Sequence, residues 1–138
     1  MNGTKLFLVA VVASTMAAGC AQQTTKKETA KGLQRIYFDF DKADIKAGSE
    51  AALKGNAAWV KDHSKNIVIQ GNCDERGTNE YNIALGDRRA NAAKKYLINL
   101  GVAKGELSTV SYGEEKPAAS CHDESCWSQN RRDEFVAK

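Results

Sequence analysis

The alternation of apolar and polar positions along the chain predicts four strands and two helices. Apolar residues at every second position indicate a strand, and a spacing of three to four residues indicates a helix. Strands are predicted over residues 34–40, 67–69, 107–112 and 130–137, with a long loop over 113–128. One helix is predicted from Ser49, as its N-cap, to near His63, and another from Thr78 to Leu100, where Gly101 supplies a stop. This order, β-α-β-α-β-β, predicts a small two-layer α/β domain with its helices on one face.

The second predicted helix places an arginine on its inward face. At about 100° per residue, Arg89 falls between Leu85 and Ala93, whereas Arg88 lies at the edge of the face. The same face also contains Tyr81, Ala92, Tyr96 and Leu100. Because an unpaired buried charge is very costly, Arg89 requires an anionic partner. Asp74, in the loop that follows strand 67–69, is one candidate within the chain. Both a structural ion pair and a ligand site at this strand end remain open.

Length and composition place the chain among small globular proteins. Its 138 residues correspond to one domain plus a tail. A hydrophobic content of 42% and a single proline favour a folded core over disorder. The net charge of +3 is too small to argue for a nucleic-acid partner.

The N-terminal residues predict export rather than fold. Residues 1–19 have a positive start and a short apolar segment, which is typical of a secretory signal and too short to span a membrane. Small residues precede Cys20, as in a bacterial lipobox, although Ala17 replaces the usual large aliphatic residue. Cys20 is therefore predicted to be acylated, with ordinary cleavage as the alternative. Residues 20–32 are polar and predict a flexible tether, which leaves 33–138 as the domain.

The other three cysteines are expected to face an oxidising compartment. Cys121 and Cys126 lie close together in one loop, so a disulfide is predicted between them. Cys73 is then left as a small buried residue at a strand end. Cys73, Cys121, His122 and Cys126 are metal ligands by type, but their spacing fits no standard zinc pattern. No metal is expected.

Catalytic arrangements are weak in this sequence. A Cys73–His122 nucleophile pair would lack an orienting third group. Asp74 and Glu75 are adjacent, whereas glycosidase carboxylates oppose one another across the bond they cleave. No phosphate loop or dinucleotide fingerprint occurs. We therefore expect neither catalysis nor a cofactor.

Several motifs in order carry a family resemblance. Residues 72–78 (NCDERGT), 81–82 (YN) and 85–90 (LGDRRA) resemble the signature of OmpA-like peptidoglycan-binding domains, most of all in the peptidoglycan-associated lipoproteins. Further similarity at residues 37–42, 111–117 and 130–132 extends the match over roughly 36–132. The resemblance implies the OmpA C-terminal-like fold, an α+β sandwich with helices on one face of a mixed sheet.

The resemblance also implies a ligand, the diaminopimelate residue of the peptidoglycan stem peptide. Asp74 would accept hydrogen bonds from its ammonium, and Arg89 would grip its carboxylate in a bidentate fork. The further ligand contacts that it implies are Phe40, Asp41, Arg76, Thr78, Asn82, Leu85 and Arg131.

By the same resemblance the protein would be a non-catalytic lipoprotein on the periplasmic face of the outer membrane. It would tether that membrane to the cell wall through the acylated Cys20. Its partners would include Tol-system proteins such as TolB, in envelope integrity and cell division. Two other classes stay open: a periplasmic enzyme that acts on cell wall, and a protein-interaction module whose Asp74–Arg89 pair is purely structural.

Overall fold

The computed structural model describes residues 32–138. The predicted signal sequence 1–19, the acylation site Cys20 and all of the predicted tether except Gly32 lie outside these residues. Within them, 3₁₀ turns occur at Ala47–Ser49 and Lys104–Glu106. The strands and helices, in chain order, are β1 Ile36–Tyr37, α1 Glu50–His63, β2 Ile67–Asn72, α2 Asn79–Asn99, β3 Leu107–Gly113, α3 Glu124–Asn130 and β4 Arg132–Ala137.

The four strands form one mixed sheet in the order β1-β4-β2-β3. β2 runs parallel to β3, as the connection through the long helix α2 allows. β4 lies between β1 and β2 and is antiparallel to both. The predicted α/β class is confirmed by this arrangement, in which the last strand of the chain becomes a central strand of the sheet.

The hydrophobic core lies between the sheet and the helices α1 and α2, as the predicted two-layer architecture requires. Ile67, Ile69 and Phe135 are fully buried on the sheet side. The helices oppose them with Leu53, Ala57, Val60, Ala90, Ala93 and Leu97. Burial of each large apolar side chain contributes roughly 1.5–3 kcal/mol, so the contact between the layers is the main source of stability.

Two glycines allow α2 to lie directly on the sheet. A Cβ added to Gly71 in β2 would stand 1.8 Å from the carbonyl oxygen of Gly86 in α2. A Cβ added to Gly86 would stand 2.3 Å from Oγ of Ser111 in β3. Side chains at either position would push the helix away. The close approach brings Arg89, one turn further along α2, over the end of β2.

The inward face of α2 is rotated slightly from the predicted one. Arg89 is inward and Arg88 is exposed, as predicted. Tyr81, predicted to be inward, is 42% exposed. The buried positions are Asn82, Leu85, Gly86, Arg89, Ala90, Ala93 and Leu97. The pattern of apolar residues could not identify Asn82 and Gly86 as buried, because Asn82 is polar and Gly86 has no side chain.

Three local predictions were wrong. The predicted loop 113–128 contains the start of α3, which begins after Asp123, whose side chain accepts a hydrogen bond from the Ser125 amide. Seven residues are too few to produce a clear helical periodicity. Ser49 makes no side-chain cap, because it ends a 3₁₀ turn with a helical backbone. β1 is only two residues long. Among residues 32–138, no helix is both long and apolar enough to cross a membrane.

Candidate functional site

A pocket of about 210 Å³ lies beyond the carboxyl end of β2. Three segments form it: the loop after Phe38, the loop between β2 and α2, and the first turns of α2. Gly77 turns the second loop with φ +104°, and Thr78 begins α2 by accepting a hydrogen bond from the Tyr81 amide. The pocket is lined by Phe40, Asp41, Cys73, Asp74, Arg76, Gly77, Tyr81, Asn82, Leu85 and Arg89.

Arg89 forms part of the pocket wall although the residue exposes 0% of its surface. Its Nε donates to the Lys42 carbonyl at 2.8 Å, Nη1 to the Asn72 carbonyl at 2.9 Å, and Nη2 to the Asp39 carbonyl at 3.0 Å. The guanidinium therefore joins the loop after β1 to the end of β2. Arg89 also interacts with the Cys73 side chain, which lines the same pocket.

A second buried ionisable group, which sequence reasoning missed, lies near Arg89. Asp133 of β4 is 0% exposed, and neither of its carboxyl oxygens has a hydrogen-bond partner among residues 32–138. Burial raises the pKa of Asp133 well above its usual range, and the positive charge of Arg89 opposes this shift. Burial likewise lowers the pKa of Arg89, with Cys73 and Asp133 acting against it. The sequence feature that could have identified Asp133 was the presence of an acidic residue in the middle of a predicted core strand.

Asp74 pairs with other arginines and not with Arg89. Its Oδ1 accepts from the Arg76 amide at 3.0 Å and from Arg76 Nε at 3.2 Å. Its Oδ2 accepts from Arg76 Nη2 at 2.8 Å and from Arg131 Nη1 at 3.4 Å. Burial favours a raised pKa for Asp74, but the hydrogen bonds from Arg76 outweigh it and the pKa is lowered. The hypothesis of a structural Asp74–Arg89 ion pair was wrong, because Asp74 pairs with Arg76 and Arg131 instead.

Arg76 is held between two aromatic rings at the rim of the pocket. Its guanidinium carbon lies 3.8 Å from the centre of the Phe40 ring and 4.1 Å from that of Trp127. Trp127 lies on α3, as does Glu124, whose carboxylate accepts from Arg131 at 2.5 Å. Neither α3 nor these two residues was predicted to be part of the site. They are brought there by tertiary contacts alone.

Comparison with known proteins identifies the family of this chain. The OmpA family model matches residues 37–131. The chain belongs to the OmpA family. A peptidoglycan-associated lipoprotein of Mesorhizobium japonicum is 42% identical over 91% of this chain and 87% of its own length. One of Pasteurella multocida is 45% identical over 93% of this chain and 95% of its own length.

Two solved structures share the fold. The crystal structure of a peptidoglycan-associated lipoprotein from Burkholderia pseudomallei superposes with a TM-score of 0.73 at 47% identity, covering 75% of this chain and 89% of that one. The C-terminal domain of Helicobacter pylori MotB superposes with a TM-score of 0.71 at 23% identity, covering 78% of this chain and 85% of that one. At that identity the likeness to MotB concerns the fold alone.

In this OmpA-family chain, most of the residues proposed as ligand contacts meet in the pocket. Those that line it are Phe40, Asp41, Asp74, Arg76, Asn82, Leu85 and Arg89. Thr78 does not line it, because its hydroxyl caps α2. Arg131 stands behind Asp74 and donates to the Phe38 carbonyl at 2.9 Å. Cys73, Gly77 and Tyr81 also line the pocket and were not proposed.

Two of the lining residues support the loops of the pocket. The Asn82 amide donates to the carbonyls of Asp74 and Arg76, at 3.3 and 3.2 Å. Asp41 has a left-handed backbone with φ +54° and accepts a hydrogen bond from the Tyr81 hydroxyl. An aspartate tolerates this conformation better than most residues. Both contacts hold the pocket open before any ligand enters.

The cysteines show one bond and one free thiol in the described part of the chain. Cys121 and Cys126 form a disulfide with a Cα–Cα distance of 5.5 Å. Cys73 is free and buried, and burial raises its pKa to about 11. Its thiol is therefore neutral near pH 7 and donates to the Asn82 carbonyl at 3.2 Å. No group of His, Cys, Asp or Glu within residues 32–138 is arranged to hold a metal ion.

Proposed function

We propose that this protein is a non-catalytic lipoprotein that binds peptidoglycan through the pocket at the end of β2. The observation that carries the proposal is the composition of the pocket, in which Asp74, Arg89, Phe40 and Leu85 surround one space of about 210 Å³. The name shared by the Mesorhizobium and Pasteurella relatives supports it.

The ligand group is the diaminopimelate of the stem peptide. Its side chain ends in an ammonium and a carboxylate on the same carbon, so it needs an acid and a base side by side. Asp74 receives the ammonium, and the η nitrogens of the Arg89 guanidinium receive the carboxylate. The backbone amides at the start of α2 add a favourable field for the carboxylate. The methylene groups pack on Leu85 and Phe40.

This arrangement distinguishes diaminopimelate from lysine, which lacks the second carboxylate. Without it, the η nitrogens of Arg89 would gain no acceptor from the ligand. A site built to hydrogen-bond a ligand group rejects an analogue that lacks the group, because its own polar atoms lose solvent without gaining a partner. The discrimination therefore lies at Arg89 more than at Asp74.

The location proposed for the protein is the periplasmic face of the outer membrane, with lipid on Cys20. One acyl chain holds a protein only marginally, whereas two or more anchor it stably. The domain would then bridge that membrane and the cell wall. Tol-system proteins such as TolB are proposed as partners, in envelope integrity and cell division.

A sacculus pulldown tests the ligand. We expect the purified domain to sediment with sacculi that contain diaminopimelate and to remain in solution with sacculi that contain lysine. Asp74→Ala is expected to abolish sedimentation. Arg88→Ala is the matched control, because Arg88 is exposed beside Arg89 and should leave binding unchanged. Equal sedimentation of wild type and Asp74→Ala would contradict the proposed site.

The same experiment tests the enzymatic alternative. The pKa of Asp74 is lowered by Arg76, which makes it a poor proton donor near neutral pH. We therefore expect no soluble fragments in the supernatant after prolonged incubation with sacculi. Release of muropeptides that depends on Asp74 would instead establish a cell-wall enzyme.

A further inference from the structure

The carboxylate of Asp74 is already fully occupied in the free protein. Arg76 donates to it three times, through its amide, Nε and Nη2, and Arg131 donates once. A carboxylate has about four lone-pair sites, so none remains for an incoming ammonium. A ligand can reach Asp74 only if one of the donors leaves.

Arg76 is the donor that is able to leave. Its side chain is 31% exposed, whereas that of Arg131 is 7% exposed. Arg131 is also held by the Phe38 carbonyl and by Glu124, at 2.9 and 2.5 Å. Displacing Arg131 would break all of these bonds in a buried place. Displacing the Arg76 side chain breaks only its Nε and Nη2 bonds to Asp74.

A second acceptor for Arg76 stands nearby. Oε2 of Glu124 lies 3.9 Å from Nη2 of Arg76, against 2.8 Å for Oδ2 of Asp74. The guanidinium carbon lies 3.8 Å from the centre of the Phe40 ring and 4.1 Å from that of Trp127. A shift of about 1 Å from Asp74 towards Glu124 would keep the guanidinium within the roughly 6 Å range of both cation–π contacts.

We propose that Arg76 is a built-in competitor for Asp74, which the cationic group of the ligand displaces towards Glu124. The inference rests on the proposed function and deepens it. In the free protein Arg76 keeps Asp74 paired. In the complex the ligand ammonium takes its place, and Arg76 pairs with Glu124 between Phe40 and Trp127. Glu124 and Trp127, which do not line the pocket, thereby help to determine its affinity and its preference for cationic ligands.

The test is the dissociation constant for a soluble diaminopimelate-containing stem peptide, measured by calorimetry. Arg76→Met keeps an unbranched side chain between the rings and removes the competitor, so the peptide should bind on the order of two- to fivefold more tightly. Glu124→Gln removes the second acceptor and should weaken binding by a similar factor. Glu115→Gln is the matched control, because it removes one exposed negative charge outside the pocket and should change nothing.

Whether each variant binds the peptide more tightly or more weakly than wild type decides whether the inference holds. Weaker binding by a folded Arg76→Met variant would make Arg76 a direct contact and overturn the inference, while the proposed function would stand. A Glu124→Gln variant that binds as wild type does would overturn the role of Glu124. Failure of the wild type to bind the peptide would overturn the proposed function itself.

A measurement on the wild type guards against effects of folding. The Nε–H resonance of Arg76 in isotope-labelled protein reports its hydrogen bond to Asp74. Saturation with the stem peptide should shift this resonance, because the bond is broken. An unchanged resonance in the saturated complex would also overturn the inference.

Discussion

Replacing Arg89 with alanine should destabilise the domain strongly before any question of ligand arises. The change removes the donors for the carbonyls of Asp39, Lys42 and Asn72. It also leaves Asp133, which is 0% exposed, without the positive charge nearby. Each buried carbonyl that is left without a donor costs about 1–3 kcal/mol, so the loss of three donors should cost about 3 kcal/mol or more. Since whole domains are stable by about 5–15 kcal/mol, the variant should remain folded only marginally.

Urea unfolding at 25 °C, followed by circular dichroism, measures this loss. Arg88→Ala is the control, because it removes an arginine from the neighbouring exposed position of the same helix. Its free energy of unfolding should fall by less than about 1 kcal/mol. The two variants have the same change in composition and helix propensity, so the difference between them isolates the buried contacts of Arg89.

A loss below about 1 kcal/mol for Arg89→Ala would refute the reasoning. It would mean that water replaces the guanidinium at all three carbonyls, and that Arg89 is held for ligand alone. A larger loss for Arg88→Ala than for Arg89→Ala would mean that the helix phase is wrong by one residue. Because of the expected loss, ligand binding by Arg89→Ala has meaning only where the variant is shown to be folded.

Three further predictions concern other groups. The pKa of Asp74 is lowered in the folded protein, so its ionised form adds stability above the unfolded pKa near 3.8, and this stability is lost as the pH falls through the folded pKa. The Asp74→Asn variant should therefore lose less stability than wild type when both are unfolded by acid. Equal losses would contradict this. Replacing Cys121 and Cys126 by serine should lower the free energy of unfolding by about 2 kcal/mol in urea, and no change would show that the link does not restrain the unfolded chain. Cys20→Ser should move the protein from outer membranes to the soluble periplasmic fraction; continued flotation with membranes would rule out the lipid anchor.

The spacing of apolar residues was sufficient to predict the strands and helices whose apolar positions are also their buried positions. Ile67 and Ile69 predicted β2, and the positions of Leu85 and Ala93 relative to Arg89 predicted that this arginine points inward. Phe135 predicted the last strand. These predictions succeeded because a strand or helix that covers a core must repeat its apolar residues at its own period.

The same pattern failed where the structure depends on single polar contacts. α3 is short and is held by the Asp123 cap and the Cys121–Cys126 link, so it has little periodicity of its own. Tyr81 was placed inward because it is apolar, although its hydroxyl bonds to Asp41 at the pocket rim. Such contacts leave no repeating signal in the sequence.

The chain's apolar spacing was enough to predict an acid and an arginine at the end of β2. The partners of these two side chains became visible only in the folded domain. Arg89 bonds to carbonyls from two distant segments, and Asp74 bonds to Arg76, which Trp127 holds from α3. The reason is that a charged side chain can pair with a group from any segment that lies close to it in space. An amphipathic pattern shows only which side of a helix or strand faces the core. The partner of a buried charge is therefore decided when distant segments meet.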